Sequence, residues 1–153
     1  MNLLIDTNVL VDVLQKRDPH FYYSSLIWKI CETGKAKGFV SSLSIANLLY
    51  VLKKHIPNEK IGFLLDKLSV IFRIVPLSYD ELHKAAELSW NEYEDAVQFV
   101  TAQTNDVTHI ITRNKKDYTE TGKIRVVTPE EFIWLLRSFD IRRYLHDEKT
   151  AEP

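Results

Sequence analysis

The feature that most constrains this chain is the alternation of short apolar runs with longer stretches of helical period. Runs rich in aliphatic residues fall at 2–6, 38–42, 72–77, 108–112 and 124–127. Between them, apolar residues recur at three- and four-residue spacing over 9–16, 21–33, 43–55, 59–71, 79–90 and 92–105. Strands that alternate with helices build βαβ units, whose crossovers are right-handed and whose strands run parallel. The pattern predicts a three-layer α/β/α sandwich with a central, mostly parallel five-stranded sheet. A last helix is announced by Thr128-Pro129-Glu130-Glu131, where Thr caps, Pro fits the first turn and Glu131 completes a capping box.

Asp18-Pro19 and Ile56-Pro57-Asn58 interrupt the helical stretches without forming a linker, and no repeat or low-complexity segment is present. The 153 residues are the length of one ordinary domain. We read 1–137 as that domain and 138–153 as a polar C-terminal tail. No apolar run approaches the ~20 residues of a membrane span, and the first residues lack the basic and long apolar regions of a signal peptide. Cys31 is the only cysteine, which rules out an internal disulfide and fits a reducing cytoplasm. It lies in the apolar-periodic stretch Leu26-Ile27-Trp28-Lys29-Ile30-Cys31, which reads as packing rather than nucleophilic chemistry. With 20 Lys and Arg against 21 Asp and Glu, net charge neither demands nor forbids a nucleic-acid partner.

The informative charges are local. Leu3-Leu4-Ile5 reads as a buried strand that delivers Asp6 to its end, before polar Thr7-Asn8 and a helix beginning at Val9-Leu10. In parallel sheets, the crevice beyond the carboxyl ends of the strands is where ligands bind. A carboxylate placed there needs a partner, because an ionised group is costly to bury alone. A second segment, Asn91-Glu92-Tyr93-Glu94-Asp95, opens a helix whose Tyr93, Ala96, Val97 and Val100 are expected to face the core. Asn91 and Glu94 have the spacing of a capping box, and acids in a first turn complement the helix dipole. Asp95 is different, because it sits beside the apolar stripe. In a third segment, the strand ending at Thr112 opens into Arg113-Asn114-Lys115-Lys116-Asp117 at the same sheet edge as Asp6.

Three parts of the chain thus bring Asp6, Asp95 and Asn114/Asp117 towards one crevice. Converging carboxylates repel one another, and a hard divalent cation with oxygen ligands, Mg²⁺ or Mn²⁺, relieves that repulsion. Zinc fits poorly, since His20, His55, His83, His109 and His146 show no ligand spacing and have no Cys companion. Arg113, Lys115 and Lys116 are placed to meet the phosphates of a nucleic acid.

In these segments the chain resembles the PIN-domain nucleases, the family that includes VapC-type toxins of toxin–antitoxin pairs. The resemblance rests on Leu4-Ile5-Asp6-Thr7-Asn8-Val9-Leu10, on Val40 to Leu48, on Glu92-Tyr93-Glu94-Asp95-Ala96 and on Ile111 to Tyr118. The four stretches come in the family's order and cover roughly residues 1–136. The resemblance implies a Mg²⁺- or Mn²⁺-dependent endoribonuclease acting on RNA, a small antitoxin partner and a homodimer. The apolar helical pair 43–71, with more apolar residues than one face needs, points to a dimer as well.

Carried over by position, the resemblance makes Asp6 and Asp95 acidic metal-holding residues. The second acidic position falls at Asn47, as in a subfamily with Asn there, and the fourth at Asn114, with Asp117 three residues on. Asp117 is expected to take part of the fourth acid's role, with Glu92 assisting near Asp95. Asn8 and Thr112 would orient carboxylates as hydrogen-bond donors. Asn47 carries a second reading, as a hydrogen-bonded polar residue within an apolar helix. Two amides at acidic positions leave open a nuclease with a weaker metal site and a catalytically impaired domain that binds RNA or protein.

A haloacid-dehalogenase-like phosphatase would need a second Asp at position 8, where this chain has Asn8, and a receiver domain would need a paired acid beside the first strand.

Overall fold

The strand Leu3-Leu4-Ile5 is buried on both faces, which is the environment of the middle of a parallel sheet. The computed structural model of the chain describes residues 1–138. In it β1 (Asn2–Ile5) is the central strand, with β2 (Lys37–Ser41) and β3 (Phe72–Val75) on one side and β4 (His109–Ile111) and β5 (Arg125–Val127) on the other. The order is β3-β2-β1-β4-β5, and every pairing is parallel. The chain moves outward from β1 to one edge and then returns to build the other. The order therefore reverses at β1 and β4, whose carboxyl ends border the switch-point crevice where open α/β sheets bind ligands.

Helices cover both faces. Leu3 and Ile5 point into a core shared with α1 (Thr7–Leu14), α2 (Phe21–Glu32), α3 (Ser42–Leu52), α4 (Ile61–Ile71) and a last helix, α7, over 129–138. Leu4 points the other way, against Phe99 and Ala102 of α6 (Tyr93–Thr104), while α5 (Tyr79–Glu87) packs on α6 through Ala85. Each fully buried Leu or Ile contributes about 1.5–3 kcal/mol relative to exposure. The alternation of Leu3, Leu4 and Ile5 between two cores is therefore what fixes the three layers. Among the described residues no helix is long and apolar enough to cross a membrane.

Element ends differ from the expectations where hydrogen bonding decides. The strand expected over 72–77 stops at Val75, because Pro76 has no N–H to donate to the ladder. The helix expected from residue 43 begins at Ser42, where the Ser41 side chain accepts from the Ser44 N–H at 3.0 Å. A short 3-10 turn, Asn58–Lys60, precedes α4. The expected box between Asn91 and Glu94 does not form: the N-cap of α6 is Glu92, and no side chain caps it. Tyr93 lies outside the core, 48% exposed, with its hydroxyl donating to the Leu82 carbonyl at 2.8 Å. Ala96, Val97 and Val100 are buried as expected.

The box at Thr128 and Glu131 is present, with each residue accepting from the other's backbone N–H. Another, unforeseen, opens α5 between Ser78 and Glu81. Cys31 is buried, which pushes its thiol up to about 12 and removes it from nucleophilic chemistry. It packs against β2 at Gly38, where an added Cβ would stand 2.8 Å from Cys31 Sγ and 2.6 Å from a Phe72 ring carbon. The tail from 139 lies outside the described residues.

Candidate active site

Asp6 is the N-cap of α1, yet its side chain makes no capping bond. The backbone carbonyl instead accepts the first helical N–H groups, from Val9 at 3.1 Å and Leu10 at 3.4 Å. The carboxylate is left for the crevice. Its Oδ2 accepts from Thr112 Oγ1 at 2.7 Å and from Asn8 Nδ2 at 2.5 Å. Asn8 also donates to Thr112 Oγ1 at 3.2 Å, and its Oδ1 accepts from the Arg113 N–H at 3.2 Å. Thr112 Oγ1 in turn accepts from the Asn114 N–H at 3.1 Å. Asn8 and Thr112 thus tie the end of β1, the first turn of α1 and the loop after β4 into one network.

Over this network lies a crevice of about 330 Å³. Its acidic wall is Asp6, Glu92, Glu94 and Asp95, and its remaining lining includes Asn8, Arg17, Arg113 and Asn114. Burial raises the Asp6 carboxyl, against the lowering effects of Thr112, the Thr7 amide, Arg113 and Asn8. Burial and then the charge of Asp6 push Asp95 up to about 6, with Asp117 and Glu94 adding to the rise. Glu94 is raised for the same first two reasons, and Glu92 adds to them. The carboxylates feel one another across the crevice, and that mutual repulsion is what a cation would remove.

Glu94 is the residue that sequence reasoning missed as part of the site. It sat among acids that the helix dipole explained, but it faces the crevice and accepts from Asn47 Nδ2 at 2.6 Å. Asn47, reaching over from α3, is therefore joined to the acidic wall through Glu94 and does not line the crevice itself. Asp117 does not line it either; it accepts from Asn114 Nδ2 at 2.9 Å and stands near enough to Asp95 to raise it. The buried Tyr118 hydroxyl also approaches Asp95 and lowers it, without reaching hydrogen-bond geometry.

The basic loop is more committed than its composition suggested. Arg113 Nε lies 3.3 Å from Oδ2 of Asp12, which is fully buried and also accepts from Ser24 Oγ at 3.1 Å. Lys115 contacts both carboxylate oxygens of Glu131, at 2.5 and 2.7 Å, so it is spent on the cap of α7. Lys116 is exposed and has no ion pair among the described residues.

The donor set decides what the crevice would hold. Its groups are carboxylates and amides, hard oxygen ligands that suit a hard divalent cation. Among the described residues no three His, Cys, Asp or Glu side chains stand close enough to form a complete cage. Mg²⁺ is held by proteins through one or two carboxylates while keeping several waters, so this open arrangement fits that mode.

Comparison with known proteins agrees with the architecture. The family model described as PIN domain matches residues 2–116. Ribonuclease VapC1 of Aquifex aeolicus (strain VF5) is 30% identical over 135 residues, covering 85% of this chain and 92% of its own. A toxin–antitoxin complex from Klebsiella pneumoniae superposes with a TM-score of 0.63 at 25% identity, over 83% of this chain and 97% of that one. FitAcB from Neisseria gonorrhoeae shares the fold, with a TM-score of 0.60 at 20% identity over 83% of this chain and 97% of its own.

Proposed function

The chain belongs to the PIN-domain family, and from that premise we propose that it is a metal-dependent endoribonuclease that hydrolyses RNA phosphodiester bonds in the acidic crevice. The observation that carries the proposal is the convergence of Asp6, Glu94 and Asp95 on one cavity at the switch point of the sheet, each raised by burial and the last two also by the charge of Asp6. The likeness to a protein named a ribonuclease supports the reaction class.

In this reading Asp6 and Asp95 would hold Mg²⁺ or Mn²⁺, with Glu94 beside them and Asp117 and Asn114 meeting metal-bound water. Such an ion, when bound, neutralises charge on the phosphodiester and makes water a better nucleophile. The chain's own side chains do the positioning. Asn8 and Thr112 hold Asp6 by the oxygen that they share, and Oδ1 makes no side-chain hydrogen bond among the described residues. Asn47 restrains Glu94 in the same way from α3. Asn114 lines the crevice and restrains Asp117, and Glu92 adds negative charge at the rim. Arg113 meets phosphate at the basic end of the crevice, and Lys116 contacts the RNA backbone beyond it.

Two further parts of the proposal concern partners. A small antitoxin that occludes the crevice is supported by likeness to a toxin–antitoxin complex. A homodimer is supported by Tyr50 on α3 and by Phe63 and Val70 on α4, which are 70%, 65% and 84% exposed. Residues 1–137 form the nuclease domain in this reading.

The test is cleavage of a structured RNA by purified protein with Mn²⁺, against EDTA and Asp95→Asn. Cutting lost in both controls is the expected result. Cutting that persists in EDTA, or in Asp95→Asn at the wild-type rate, would overturn the assignment.

A further inference from the structure

Beside the crevice lies a second cavity of about 370 Å³, framed by Pro19, His20 and Tyr23 at the start of α2 and by Thr128 and Pro129 at the start of α7. Among the described residues Arg113 is the one that lines both spaces. Its ion pair with Asp12 is made through Nε, so the guanidinium is anchored in the wall between them with its outer nitrogens uncommitted among the described residues. From this arrangement we infer that the second cavity is a base-binding subsite for the nucleotide adjoining the scissile phosphate, with Arg113 contacting phosphate at the passage between the two. The inference rests on the nuclease reading above and extends it.

The chemistry of the cavity selects a base over a second phosphate. Arg113 is the only Lys or Arg lining it among the described residues, and acidic Glu130 lines it too. The Ser24 hydroxyl gives its proton to buried Asp12, and Thr128 Oγ1 accepts in the cap of α7, which leaves the Thr128 O–H as a donor uncommitted among the described residues. What remains are planar and apolar faces: the half-buried Tyr23 ring, the exposed His20 imidazole and two proline rings. Single-stranded RNA is commonly held by stacking unpaired bases on aromatic side chains while arginine meets the backbone. The volume is at the small end of ligand pockets, which suits one base. Asp12 and Ser24 are then positioning residues for Arg113, and they touch no RNA themselves.

The experiment is an abasic scan. An oligoribonucleotide that the wild-type protein cuts at one bond is resynthesised with a single abasic nucleotide at each position in turn, and kcat/KM is measured on each. One position next to the cleaved bond is expected to cost the wild type about tenfold or more, the effect of losing one stacked base. His20→Ala, an exposed change, should cut the intact RNA several-fold less efficiently and lose most of the penalty at that position alone. Tyr23→Leu should behave in the same way, and His20→Ala keeps the test valid if that variant fails to fold. Cleavage with no such position, or a penalty that both variants retain in full, would overturn the subsite and leave the nuclease standing. Absence of cleavage of every RNA would overturn the nuclease reading, and the subsite with it.

Discussion

The Arg113–Asp12 pair joins a partly exposed cation to a fully buried anion, and that asymmetry gives a quantitative prediction. The Arg113 side chain is 32% exposed and the Asp12 side chain 0%. Arg113→Met keeps most of the aliphatic volume but leaves Asp12, among the described residues, with a single side-chain donor, Ser24 Oγ, and with its Oδ1 unpartnered as before. Removing one member of a buried ion pair costs about 3–5 kcal/mol, because the remaining charge is left uncompensated. The lower end, about 3 kcal/mol, applies here because Ser24 stays.

Asp12→Asn keeps the shape and the bond to Ser24, and the stranded guanidinium retains contact with water, so its cost is about 1 kcal/mol. The double variant should be more stable than Arg113→Met alone, since the charge that suffered is gone. With a urea slope of about 2 kcal/mol/M, the unfolding midpoints fall by about 1.5 M for Arg113→Met and about 0.5 M for Asp12→Asn. Equilibrium urea unfolding at pH 7.5 reads all four proteins. Equal midpoints for the two single variants, or a double variant less stable than Arg113→Met, would refute the argument from a buried charge.

Other consequences can be measured in the same preparations. Asp95 is raised to about 6 in the metal-free protein, so the unfolded chain releases this proton first, and this group lowers stability as pH rises from about 4 to 6. Asp95→Asn should therefore make the metal-free protein more stable above pH 6, by about 1 kcal/mol after allowance for solvent screening, and no more stable at pH 4; thermal unfolding at the two pH values checks it. Proton competition at the same carboxyl should make Mn²⁺ affinity climb with pH up to about 6 and then level off, as read by calorimetry. Lys116→Ala should weaken binding to non-cleavable RNA and lower the slope of log affinity on log salt by about one, whereas Lys115→Ala should leave the slope nearly unchanged. Gly38→Ala forces a Cβ against the Phe72 ring and Cys31 Sγ and should destabilise by about 1–3 kcal/mol in urea unfolding.

Much of this protein is determined by local sequence. The rhythm of apolar runs is enough for five strands in an α/β/α frame, because burial on two faces and helical amphipathicity each leave a period that can be counted. Leu3-Leu4-Ile5-Asp6 marks the centre of that frame and its first acid for the same reason: a strand that ends in a carboxylate has its crevice at that end. Thr128 and Glu131 announce their cap through backbone spacing alone. Pro76 could have ended β3 on the same grounds.

Tertiary structure decided the partners. Glu94 belongs to the crevice, and Tyr93 to the outside, because packing against α5 and the sheet sets how α6 is rotated, and the acids of its first turn are alike in composition. Asn47 is 47 residues from Glu94, and Lys115 is 16 from Glu131, so neither pairing leaves a local signature. Arg113 and Lys115 read as a basic patch in sequence, but they stand as two anchors, one on buried Asp12 and one on the cap of α7. Charge type is written in the chain, whereas the carboxylate that each charge meets depends on how distant elements pack.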